Sequence, residues 1–69
     1  MMTSQPDQAE EAMLTMLAMD ALEEAGRRGT TRCRFRRFQI LARSLSATRR
    51  HLTISRGREI VIDADVDFP

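Results

Sequence analysis

Residues 31–46 read Thr-Arg-Cys-Arg-Phe-Arg-Arg-Phe-Gln-Ile-Leu-Ala-Arg-Ser-Leu-Ser, and the fold turns on whether this stretch is helix or strand. Phe35, Phe38, Leu41 or Ala42, and Leu45 recur at helical spacing, with no Gly or Pro from Phe35 to Leu45. Against that, Thr31, Cys33 and Phe35 alternate with Arg32, Arg34 and Arg36, as in a half-exposed strand. The alternation breaks at Arg37-Phe38, where a continuous strand would need a bulge. The spacing predicts a second helix over 33–46, with a strand over 31–38 as the alternative.

This stretch lies inside a longer one, Arg27 to Arg58, that holds all eleven arginines of the chain and no Asp or Glu. The acids flank it: Asp7, Glu10, Glu11, Asp20, Glu23 and Glu24 before, Glu59, Asp63, Asp65 and Asp67 after. The formal net charge of +1 conceals this acidic, basic, acidic order. An uncompensated basic block is the electrostatic footprint of nucleic-acid binding, because neutralising phosphates releases counterions. Arg32, Arg34, Arg36, Arg37, Arg43, Arg49, Arg50, Arg56 and Arg58 are the candidate contacts to nucleic acid or to an acidic protein surface. The competing expectation is that the flanking acids neutralise these arginines within the fold or across a dimer.

With 69 residues, 42% of them hydrophobic, the chain is expected to be one small domain over 1–69. A domain of this size buries only about 60% of its unfolded surface, so it needs support from outside a simple core. Cys33 is the single cysteine, which rules out an internal disulfide. Together with His51 it falls short of the roughly four ligands of a zinc site. No metal or cofactor is expected, and association as a homodimer or with a partner protein is what remains. No apolar run approaches the roughly 20 residues of a membrane span, and no signal-like N-terminus is present, so a cytoplasmic location is expected.

Toward the N-terminus, residues 6–26 read as a helix, with 1–5 as a flexible lead. Ser4 is the candidate cap, Pro6 and Asp7 suit the first turn, and Gly26 is the candidate stop. Leu14, Leu17, Ala18, Ala21, Leu22 and Ala25 form one apolar stripe. Met13, Met16 and Met19 fall off it. They either fill the edges of a wide core or form a second apolar face that meets a twin subunit or another protein.

Toward the C-terminus, Leu52 and Ile54 alternate with Thr53 and Ser55, and Arg56-Gly57 makes a tight connection. Ile60, Ile62, Ala64, Val66 and Phe68 then alternate with Glu59, Val61, Asp63, Asp65 and Asp67. This predicts an antiparallel hairpin over 52–66 with one acidic face. The expected class is therefore α+β: a long N-terminal helix, a second helix or strand over 33–46, and the hairpin. That order also matches a degenerate winged helix-turn-helix, although 46–51 is too short for a normal recognition helix and holds no Asn or Gln to read bases.

Catalytic chemistry finds little support. His51 is the only histidine and has no identifiable nucleophile, and Asp63, Asp65 and Asp67 lack EF-hand spacing. Cys33 between Arg32 and Arg34 would favour a thiolate if exposed, and would otherwise be a small core residue. No small-molecule substrate is expected. Two functions follow: a non-enzymatic nucleic-acid-binding or regulatory protein acting through 27–58, or a protein-binding regulator or inhibitor, of phage or host-defence type, using the methionine face and a charged surface.

Overall fold

The computed structural model describes residues 8–68; the expected cap and first-turn residues Ser4, Pro6 and Asp7, the lead 1–5 and Pro69 lie outside them. Helix α1 spans Gln8–Arg28, followed by strands β1 (Thr30–Phe35), β2 (Phe38–Ser44), β3 (Arg49–Arg56) and β4 (Glu59–Asp67). The strands form one antiparallel sheet in chain order, so β1 and β4 are its two edges. The architecture is α+β, a helix laid on a four-stranded meander. No helix among the described residues is long and apolar enough to cross a membrane.

The second helix over 33–46 is not formed, and without it there is no helix-turn-helix. The strand alternative is the one adopted, and it is a hairpin rather than a bulged strand. Phe35 pairs with Phe38 across a two-residue turn, Arg36-Arg37. The break in alternation at Arg37-Phe38 is that turn, with Arg36 at φ 56°. Burial explains the outcome. Two strands turn Thr31, Cys33 and Phe35 and then Phe38, Ile40 and Ala42 toward α1, whereas Leu45, needed for the helical stripe, stands exposed. Tertiary packing decides such ambiguous segments.

Helix α1 also runs past its expected stop. Gly26 stays helical, and the chain turns at Gly29, whose φ of 90° favours glycine. There the Gly29 N–H donates to the Ala25 carbonyl at 2.7 Å, and the Gly29 carbonyl accepts from Ser44 N–H at 2.8 Å. Arg50 lies close against this helical glycine: a Cβ at 26 would sit 2.7 Å from Arg50 Cζ, so the guanidinium would have to shift. Arg50 rises from the helix side of β3 and lies over the Phe68 ring, its Cζ 4.1 Å from the centroid. A cation at the last turn also suits the negative end of the helix dipole.

The core is the seam between α1 and the sheet. Ala18, Ala21, Leu22 and Ala25 meet Phe38, Ile40, Ala42, Leu52 and Ile54, with Leu14, Leu17, Cys33, Val66 and Phe68 at its rim. The apolar stripe expected on the helix is the buried one, and its alanines let the helix lie close to the strands. Leu22 and Ile40 are 2% and 1% exposed; burying one such side chain contributes about 1.5–3 kcal/mol. Helix α1 packs on β1, β2 and β3 but does not reach β4.

The C-terminal hairpin is present and longer than expected. Gly57-Arg58 forms its two-residue turn, with Gly57 at φ 63°. Opposite Ile54 and Ser55 the register shifts by one: Ile54 pairs with Ile62 but Ser55 with Ile60, leaving Val61 as the extra residue of a bulge.

Candidate protein-interaction surface

The arginine block is dispersed by the fold rather than gathered on one face. Arg27 and Arg28 pair with Glu24, Arg36 with Glu10 at 3.2 Å, Arg49 with Asp67 at 2.9 Å and Arg56 with Glu59 at 2.9 Å. Arg50 is packed between Gly26 and Phe68. Among the described residues, Arg32, Arg34, Arg37, Arg43 and Arg58 have no ion-pair partner, although Arg43 lies near enough to Asp63 to favour its carboxylate. Of these, Arg37 and Arg58 sit in the two hairpin turns. The acids that flank the block in sequence thus meet a good part of it in space.

The remaining three, Arg32, Arg34 and Arg43, share the sheet face turned away from α1. Three cross-strand rows run over this outer face: Thr30–Arg43–His51–Asp65, Arg32–Leu41–Thr53–Asp63 and Arg34–Gln39–Ser55–Ile60. Charge is therefore sorted across this face, with Arg32, Arg34 and Arg43 on β1 and β2, Arg49 and His51 on β3, and the carboxylates on β4. A shallow depression of about 430 Å³ lies on the cationic side, between Arg32, Arg34, Gln39, Leu41, Thr53 and Ser55.

His51 organises the acidic side. Its Nδ1 contacts Asp65 Oδ1 at 2.6 Å and its Nε2 contacts Asp63 Oδ1 at 2.5 Å. Only the imidazolium donates from both nitrogens, so this clamp selects the charged ring. The hydrogen bonds to Asp65 and then Asp63 accordingly hold the His51 pKa above its usual value. The bond from His51 holds Asp63 below the usual carboxylate range, and the bond from Arg49 does the same for Asp67. His51 is thus a cross-strand clip between β3 and two carboxylates of β4.

Cys33 faces the opposite way. It stands across from buried Ile40 on the helix side, while Arg32 and Arg34 project from the outer face and do not flank its thiol. Burial, then the nearby Asp20 charge, pushes the thiol up. Of the two readings of Cys33, the small residue packed against the core is the one this position supports. No group of three or more His, Cys, Asp or Glu side chains among the described residues is arranged to hold a metal ion.

The helix side of β4 is where apolar surface remains open. Because α1 stops short of β4, a groove of about 610 Å³ runs between them, lined by Leu14, Met19, Leu52, Val61, Ile62 and Val66 among others. Glu10, Glu11 and Arg56 also line it. Ile60, Val61 and Ile62 are exposed, as are Met13, Met16 and Met19; Met16 is 61% and Ile62 43% accessible. No family model, curated protein or solved structure matches the chain. Its own surfaces must carry the functional reading. Of the residues singled out from sequence, Met19 and Arg56 line the groove and Arg32, Arg34, Arg43 and Arg49 share the outer face, while the other arginines are scattered. The groove and the two open edges were missed. The groove depends on how far α1 reaches over the sheet, and no local pattern encodes that.

Proposed function

We propose that this chain is a small, non-enzymatic protein-binding module that recognises its partner by strand addition at a sheet edge, with the groove beside α1 receiving apolar side chains. The observation that carries this reading is the open β4 edge lying directly against the apolar groove, with Val61 and Ile62 exposed in both. A strand edge supplies unpaired backbone groups for affinity, and an adjoining pocket supplies specificity. Exposed methionines are suited to such surfaces because their side chains repack.

Nucleic acid is favoured less. Phosphate binding needs several uncompensated cations on one face, and here Arg32, Arg34 and Arg43 share the outer face with Asp63 and Asp65 in the same rows, while Arg49 on that face is paired with Asp67.

Site-specific photo-crosslinking in cells that express the chain tests the reading. A photoreactive phenylalanine analogue at Val61 should yield protein adducts identifiable by mass spectrometry, while the analogue at Gln39, in the middle of the outer face, should not. Adducts to nucleic acid at Gln39, with none to protein at Val61, would reverse the assignment.

A further inference from the structure

The two edges of the sheet are complementary to each other. On β1 the outer-face residues are Thr30, Arg32 and Arg34; on β4 they are Asp63, Asp65 and Asp67. On the helix side β1 carries Thr31, Cys33 and Phe35, and β4 carries Ile62, Ala64 and Val66. The geometry points to a second copy of the chain as the occupant: β1 of one copy adds antiparallel to β4 of the next, Thr30–Phe35 opposite Ile62–Asp67.

In that register Arg32 stands opposite Asp65 and Arg34 opposite Asp63. On the other side Cys33 meets Ala64, Phe35 meets Ile62 and Thr31 meets Val66. All six residues of β1 find a partner within β4, and the paired segment ends just where the bulge at Val61 begins. Opposite charges facing across a strand pair are favourable and like charges are not. With both helices on one side of the sheet, pairing two β4 edges over 62–67 sets carboxylate against carboxylate, and pairing two β1 edges sets arginine against arginine. Turning one β4 copy over sets carboxylates against Ala64 and Val66. Only the head-to-tail contact matches both faces.

The open groove fits the same arrangement. Each added copy advances by four strand spacings, about 19 Å, and a helix with side chains is about 10–12 Å across, so successive helices leave a trough above β4 about as wide as the side chains that would line it. Met19 borders that trough from one helix. Asp20 acts on Cys33 of β1, which places it on the other flank of α1, and Met13, seven residues earlier, shares that flank. Methionines of neighbouring copies thus face one another over Ile62. The contact is heterologous, so it closes into a ring or extends as a filament.

This assignment rests on reading the chain as a protein-binding module. Cys33 supplies a direct test, because the register sets it opposite Ala64 of the next copy. Paired residues across antiparallel strands have Cα atoms about 4.5–5.5 Å apart, within disulfide reach. Within one chain the same positions are three strand spacings, about 14 Å, apart and cannot bond. Oxidising the Ala64→Cys variant should give a ladder of disulfide-linked multiples of 7.9 kDa on a non-reducing gel. Ile62→Cys, two residues out of register, should give at least tenfold less. Circular dichroism on both variants checks that the fold is retained. No ladder from folded Ala64→Cys, or equal ladders from both variants, overturns the assignment. If the Val61 crosslink captures a different protein and no second copy, self-assembly is overturned while the binding module stands; if it captures no protein, both fall.

Discussion

Arg32 and Asp63 stand at opposite ends of one cross-strand row, Arg32–Leu41–Thr53–Asp63, so the outer face begins on a cation at one edge and finishes on a carboxylate at the other. Distance keeps the two from neutralising each other within the chain. That separation gives each edge a charge that a neighbouring edge can answer, and it explains how a net charge of +1 coexists with a cationic border and an acidic one, the acidic one partly answered by His51 and Arg49.

The clamp on the acidic border makes stability depend on pH. His51 has a folded pKa above 6.5, so its contribution is complete below 6.5 and is lost as pH rises through the folded value. Asp63 and Asp67 lie below 3.8 when folded, so theirs is present above 3.8 and lost as pH falls through the folded values. Urea midpoints should be highest in the mildly acidic range and decline on the alkaline side. His51→Gln should remove most of that alkaline decline, and an unchanged profile would show that the clamp is not formed.

The seam under α1 should be the part of the molecule most sensitive to truncation. Leu22→Ala should cost about 2–5 kcal/mol, because its cavity lies between the helix and Ile40 with little room to collapse. Met16→Ala should cost less than about 0.5 kcal/mol. Urea denaturation of the two variants measures the contrast.

The first hairpin carries an arginine where glycine is favoured. At φ 56° Arg36 stays tolerable through its contacts with Glu10 at 3.2 Å and with the Phe35 ring at 5.2 Å. Arg36→Val should lose about 1–2 kcal/mol, the cost of a branched side chain in a left-handed conformation. Arg36→Gly should be close to neutral, since strain relief offsets the lost exposed contacts. A calorimetric order of Gly at or above Arg, and Val last, is expected.

Gly26 and Arg50 should be coupled. Alanine is the better helix former by about 0.8–1.0 kcal/mol, yet at 26 its Cβ displaces the guanidinium from its place beside Phe68. Gly26→Ala should therefore gain less in the wild-type background than in Arg50→Ala, by about 0.5–2 kcal/mol, the worth of the cation–π contact. A double-mutant cycle with no coupling would mean that Arg50 is not held there.

Helix α1 was legible because its stripe, Leu14 to Ala25, has one period and no competitor. The β3–β4 hairpin was legible because Gly57 sits between two alternating runs. Residues 31–44 were not, since Phe35 and Phe38 fit a helical step of three as well as a two-residue turn. The choice lay with Ile40 and Ala42, whose burial under α1 is a tertiary fact. The arginines misled in a similar way: closeness in sequence suggested one surface, but alternation sends Arg49 and Arg50 to opposite faces and turns carry Arg37 and Arg58 away. Arg50 as a half-buried stack on Phe68 had no local signal at all. The acidic strand and the methionines off the stripe were visible, but not their relation to open edges.

The β1 edge of one copy answers the β4 edge of the next, and a charge swap is the decisive test of that contact. Light scattering should show wild-type mass rising above 7.9 kDa with concentration. Arg32→Asp alone and Asp65→Arg alone should each stay at the monomer mass, and an equimolar mixture of the two should assemble again, because each then offers the charge the other lacks. Wild-type protein that remains monomeric, or variants whose masses ignore the swap, would rule out the β1–β4 contact.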